Sequence, residues 1–216
     1  MRNPDKPAAW TYVWLLLSGA LMIVPVALAG IGVAGLTTDG ASPLARAAAL
    51  AFLGSSLPEE IARFAVLSLF GLWRAGSTRP LEGLIFGAVA GLGFSLAENL
   101  LYGFTLGWPM ALLKLAIATP IHLALGVMMG GLLVIAGNCA AARRGAMLAV
   151  ALVLPVLLHG IYDLAILTAI GNAASAISDV VRLIPPALSY AMVIGIAVCT
   201  ARRARVSGKC VSAVSA

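Results

Sequence analysis

Charge is scarce in this chain. Only 10% of its 216 residues are Asp, Glu, Lys or Arg and only 6% are aromatic, whereas 62% are hydrophobic. Mean hydropathy is +1.04. Soluble domains carry about 25% charged and roughly 45–50% apolar residues, so a water-soluble globule is excluded and lipid must be the solvent. Cysteine is scarce too. Cys139, Cys199 and Cys210 show neither a metal-ligand spacing nor an obvious pairing, which argues against a disulfide scaffold or a thiolate metal site. No low-complexity linker and no convincing repeat breaks the chain. The length leaves room for about six or seven spans of roughly 20 residues each. The expectation is a single integral membrane domain over 1–216, all-α, a polytopic transmembrane helix bundle of about six spans.

What is present is a series of apolar stretches, at about 11–35, 44–73, 83–104, 109–137, 146–170 and 183–201. Short turn segments join them, such as Thr37-Thr38-Asp39-Gly40 and Arg74-Ala75-Gly76-Ser77. The net charge of +6 does not point to nucleic acid, because the basic residues form no single run. They act instead as loop charges that orient spans. Arg2, Lys6, Arg74, Arg79, Arg143, Arg144, Arg202, Arg203, Arg205 and Lys209 fall on one side; Arg46, Lys114 and Arg182 fall on the other. That asymmetry predicts both termini in the cytoplasm of a cell-membrane protein. Ala27-Leu28-Ala29 has the small-residue form of a signal-peptidase site, but the apolar run continues to Leu36, so an uncleaved anchor is expected.

Against this background a few residues stand out. Glu59 and Glu60 fall inside the second span, Glu98 the third, His122 the fourth, and His159 and Asp163 the fifth. An ionisable group at the centre of a span costs about 2.5–3.5 kcal/mol on insertion scales, which makes each a functional candidate. At a rise of about 1.5 Å per residue, Glu59, Glu98, His122, His159 and Asp163 lie roughly 9–22 Å from the outer ends of their spans. They share one slab, from mid-membrane towards the outer leaflet. The inner halves of these spans are almost uncharged, so a cavity open outward is expected.

Spacing within each helix adds to this. Arg63 follows Glu59 by four residues and Glu60 by three, within pairing reach of either. Successive residues point about 100° apart, so one glutamate pairs with Arg63 and the other faces the cavity. His159 and Asp163 share a face, where the carboxylate can orient the imidazole. Phe94, Glu98 and Tyr102 form another stripe, with Asn99 beside it. Separately, Gly83, Gly87, Gly91 and Ser95 recur every four residues, and Gly126 and Gly130 follow His122. Small residues at that spacing let membrane helices approach closely, and they are read as packing surface, not as a phosphate loop.

At these residues the chain resembles the PrsW family of intramembrane proteases. Pro58-Glu59-Glu60-Ile61-Ala62-Arg63 is similar to its Glu-Glu motif, with Arg63 where the family usually has Lys. Gly93 to Tyr102 is similar to its F-x-x-x-E-N segment, His122 to its third motif and His159-Gly160-Ile161-Tyr162-Asp163 to its H-x-x-x-D motif. The four occur in family order over about 55–165. The resemblance implies an intramembrane endopeptidase, related in fold to the CAAX prenyl-protein proteases and acting on single-span or membrane-anchored proteins such as anti-sigma factors. It implies site residues Glu59, Glu60, Arg63, Glu98, Asn99, His122, His159 and Asp163. Arg holds a carboxylate as Lys does, with a planar fork.

Two mechanisms are open at this point. In one, His122 and His159, with Glu98, bind Zn²⁺ while Glu59 or Glu60 acts as base. No His-Glu-x-x-His pair is present, so such a centre must assemble from separate spans. In the other, Glu59 and a histidine activate water without metal, as in the CAAX proteases, which place Asn where Asp163 stands. The functional alternatives are a proton-coupled transporter or channel using the same carboxylates, and a non-catalytic scaffold for transmembrane peptides.

Overall fold

In the computed structural model the described residues, 9–36, 42–72, 79–171 and 179–214, form six helices and no strand. They are α1 (Ala9–Leu36), α2 (43–72), α3 (Pro80–Leu106), α4 (Trp108–Gly137), α5 (Ala141–Gly171) and α6 (Asp179–Val214). Each expected apolar stretch has become one helix. The turn residues at 37–40 and 74–77, and Arg2, Lys6 and Arg74 of the charge count, lie outside the described residues. So does the side chain of Cys210, whereas Cys139 and Cys199 are free thiols.

Local signals set the helix ends. The Ser42 hydroxyl accepts from the Ala45 amide at 3.2 Å, with Pro43 opening the first turn of α2. Pro80 opens α3 in the same way, with Glu82 in its first turn. A single residue, Gly107, separates α3 from α4, and its φ of 93° is one that only glycine adopts at little cost. α6 runs past the expected end at 201 through Arg202 and Arg203, since no proline interrupts it there and Ala and Arg favour the helix.

Four of the six helices are long and apolar enough to cross a membrane: α1, α3, α4 and α5. Their outward faces carry large apolar side chains, including Trp10, Leu28, Ile31, Phe104 and Leu112, all more than half exposed. Water would not tolerate so continuous an apolar surface, but lipid does. α2 differs because it carries Glu59, Glu60 and Arg63 at its centre. It is wound as a π-helix over Leu50–Ser56 and again over Leu67–Leu72. The first π stretch falls just before Pro58, whose ring cannot pass the carbonyl four residues back in a regular α-helix.

The α3–α4 pair makes the most extensive helix contact. Here the glycines meet backbone. A methyl group on Gly87 would collide with the Gly126 carbonyl, one on Gly83 with Val134 and the Gly130 carbonyl, and one on Gly91 with the His122 carbonyl. Ser95 continues the row by bonding Thr119 Oγ1 at 2.7 Å. Gly19 and Gly93 bring the first half of α1 equally close to α3, against Ala90 and Leu16. Around this seam Phe86, Ile121, Leu125, Met128 and Met129 form the buried apolar core.

Candidate active site

α2, α3, α4 and α5 converge on one polar centre. Glu59, Glu60, Arg63, His122 and His159 are all buried, with at most 3% exposure. Glu60 is the glutamate that pairs with Arg63; the same Oε1 lies 2.9 Å from His159 Nδ1. Glu59 is its counterpart. Its Oε1 lies 2.8 Å from Ser55 Oγ, while Oε2 has no hydrogen-bond partner. Glu60 Oε2 and Arg63 Nε in the same cluster are also unpartnered.

The two imidazoles come together with ring centroids 5.4 Å apart. His122 Nε2 lies 3.1 Å from Glu98 Oε2, and its Nδ1 lies 3.4 Å from Arg63 Nη2. Arginine can only donate, so Nδ1 presents a lone pair and Nε2 carries the hydrogen given to Glu98. His159 is held in the mirror sense: its Nδ1 gives a hydrogen to Glu60, so in the neutral ring Nε2 is the lone-pair nitrogen. Both of these nitrogens lie near Glu59 Oε2, at 3.9 Å from His122 Nδ1, which also takes the Arg63 hydrogen bond, and 3.7 Å from His159 Nε2. Phe94 packs edge-on to His122 at 5.1 Å between centroids and lies under the Arg63 guanidinium at 5.9 Å. That accounts for an aromatic one turn before Glu98.

These groups suit a metal ion. Glu59, His122 and His159 each offer a ligand atom within 4.8 Å of the others. Two imidazole nitrogens and one carboxylate oxygen form a known catalytic zinc set, and a carboxylate on the far nitrogen of each imidazole is the usual supporting arrangement. Glu59 Oε2 is the orphaned acceptor at the middle. Charge agrees: the carboxylates Glu59, Glu60, Glu98 and Asp163 face two permanent cations, Arg63 and Lys114, and a divalent cation would offset the remainder.

Glu98 lies on the other side of the His122 ring from Glu59, against Nε2. It supports His122 from behind and is itself paired with Lys114, whose ammonium sits 3.8 Å from the centroid of the Tyr102 ring. Asp163 Oδ2 lies 3.6 Å from His159 Nε2, too long for a hydrogen bond, and 2.6 Å from Ser55 Oγ. Asn99 is buried but turned away, its amide nitrogen 2.7 Å from the Ser95 carbonyl. Two members of the centre were not singled out as site residues from the sequence. Lys114 was counted as a loop charge, although Lys114, Ala118 and His122 follow at intervals of four along α4 and all line the cavity. Ser55 stands four residues before Glu59, a weaker signal because serine is common.

A cavity of about 790 Å³ opens beside this centre. Its polar wall includes Glu98, Lys114, His122, His159 and Asp163, and the rest is chiefly apolar, with Leu50, Met110, Leu113 and Ile166 among the lining side chains. Of the four acids, Asp163 is the most exposed, its side chain at 22% against 11% for Glu98 and 3% or less for the glutamates of α2.

Fold and site thus define a helical membrane protein with an acid–histidine centre buried among its spans. Residues 7–198 match the profile described as the PrsW family intramembrane metalloprotease. The chain is 35% identical over 123 residues to protease PrsW of Bacillus subtilis (strain 168), covering 57% of this chain and 56% of that protein. It is 30% identical over 168 residues to protease PrsW of Shouchella clausii (strain KSM-K16), covering 78% of this chain and 75% of that one. No solved structure matches. The chain belongs to the PrsW family of intramembrane metalloproteases, and is by family an intramembrane protease.

Proposed function

We propose that the chain is a zinc-dependent endopeptidase that cuts membrane-anchored proteins from a cavity towards the outer leaflet of the plasma membrane. The observation that carries this reading is the pair of imidazoles. Each is clamped by a carboxylate on one nitrogen and turned by the other towards the buried, unpartnered Glu59 Oε2. His122, His159 and Glu59 would hold the ion, which supplies Lewis-acid polarisation of the scissile carbonyl and an acidified water. Glu60 and Glu98 orient the two imidazoles. Arg63 and Lys114 neutralise those two carboxylates, so that neither sits as an uncompensated charge in the membrane. Asp163, the most exposed of the acids that line the cavity, takes the proton of the attacking water.

The cavity's apolar walls favour an extended, apolar substrate segment. That chemistry fits a single-span protein, and an anti-sigma factor is the kind of substrate the family resemblance implies. The test is cleavage of single-span reporters by purified protein in liposomes, comparing wild type, Glu59→Gln and His122→Ala, with and without chelator. Cleavage by wild type alone, lost on chelation and restored by Zn²⁺, is the expected result. Undiminished cleavage by Glu59→Gln would overturn the assignment.

A further inference from the structure

The Ser55 hydroxyl stands between two carboxyl groups that belong to different helices. Its Oγ lies 2.8 Å from Glu59 Oε1 on its own helix and 2.6 Å from Asp163 Oδ2 on α5, 108 residues away in sequence. The hydroxyl has one hydrogen to give, so it serves the two acceptors by turns and ties them together. Glu59 has two oxygens. With Oε1 engaged by Ser55, Oε2 is the one left facing His122 Nδ1 and His159 Nε2, buried and without any other partner.

The backbone reinforces this placement. Ser55 lies in the π-helical stretch Leu50–Ser56, and such single-turn irregularities concentrate at functional sites. Gly30 brings α1 close to its neighbour Gly54: a methyl group on Gly30 would stand 3.2 Å from the Gly54 carbonyl oxygen. The turn that carries Ser55 is therefore backed by another helix, and both Ser55 and Asp163 line the cavity.

We infer that Ser55 is a positioning residue of the metal centre: its hydroxyl fixes the Glu59 carboxyl so that one oxygen is delivered to the two histidines, and holds Asp163 at the cavity wall. The inference rests on the metal-centre reading above. Loss of a residue that orients a ligand typically weakens metal binding by about 10–100-fold.

The test uses the full chain, purified and stripped with chelator, and titrates Co²⁺ by its visible absorption in wild type, Ser55→Ala, Ser55→Thr and Ser55→Val. The expected result is Co²⁺ binding weakened by about 10–100-fold in Ser55→Ala, and weakened similarly in Ser55→Val, which has the shape of threonine without the hydroxyl. Ser55→Thr, which keeps the hydroxyl, restores binding. In the reporter assay kcat falls in Ser55→Ala with KM unchanged. If Ser55→Ala does not fold, the Val variant against the Thr variant decides. Wild-type Co²⁺ affinity in a folded Ala or Val variant overturns the role of Ser55 and leaves the protease reading standing. A wild type that cleaves reporters yet binds no Co²⁺ removes the metal centre and Ser55's role together.

Discussion

Along the α3–α4 seam, Gly83, Gly87 and Gly91 press their backbones against the carbonyls of Gly130, Gly126 and His122. On the far side of the same α4 residue, the His122 ring enters a cluster of charged side chains from α2, α3 and α5. One region is chiefly backbone and apolar contact and gains its stability from close approach. The other concentrates ionisable groups where each is expensive. They meet in His122, whose carbonyl belongs to the seam and whose imidazole belongs to the centre. Glycine there helps set the geometry of the polar centre: a wider seam would carry the imidazole away from Glu59.

Substitutions on the two sides should therefore fail differently. The largest effect is expected from Glu59→Gln, which keeps shape and fold but removes the anionic oxygen facing both histidines. Reporter cleavage should fall by about 10³-fold or more, with the melting temperature of the metal-free protein unchanged. Arg63→Met strands Glu60 in a fully buried position, and breaking a buried pair this way costs about 3–5 kcal/mol. Thermal unfolding in detergent should show the loss, with Arg63→Lys recovering most of it. Gly87→Ala tests the seam, where the added methyl meets the Gly126 carbonyl. Overpacking of this kind costs about 1–3 kcal/mol, and here activity should fall together with stability. Gly32→Ala is the contrast: nothing lies within 4 Å of its added methyl, so stability should stay within about 0.5 kcal/mol and cleavage should be unchanged.

Much of this architecture was legible in the chain itself. Long apolar runs become helices because the bilayer admits little else, and a four-residue glycine repeat in such a run reads as a contact face. The convergence of Glu59, Glu60, Glu98, His122, His159 and Asp163 was legible because charge in a span needs a partner. Pairing at shorter range was not. Asn99 adjoins Glu98 in sequence, yet the helix turns it towards Ser95. Choosing Glu59 over Glu98 as the histidines' shared carboxylate depends on rotamers set by Lys114 and Ser55. Lys114 itself, near a span end, reads as a charge reaching for the interface. Ser55 gains its meaning from a partner on another helix.

The one-residue turn at Gly107 bears on how the chain enters the bilayer. It folds α3 back on α4 so that Glu98, nine residues before the turn, meets Lys114, seven after it. A bilayer that takes two helices joined so tightly as one hairpin would meet a paired acid and base in place of two separate charges, and the cost of placing each charge in lipid would fall accordingly.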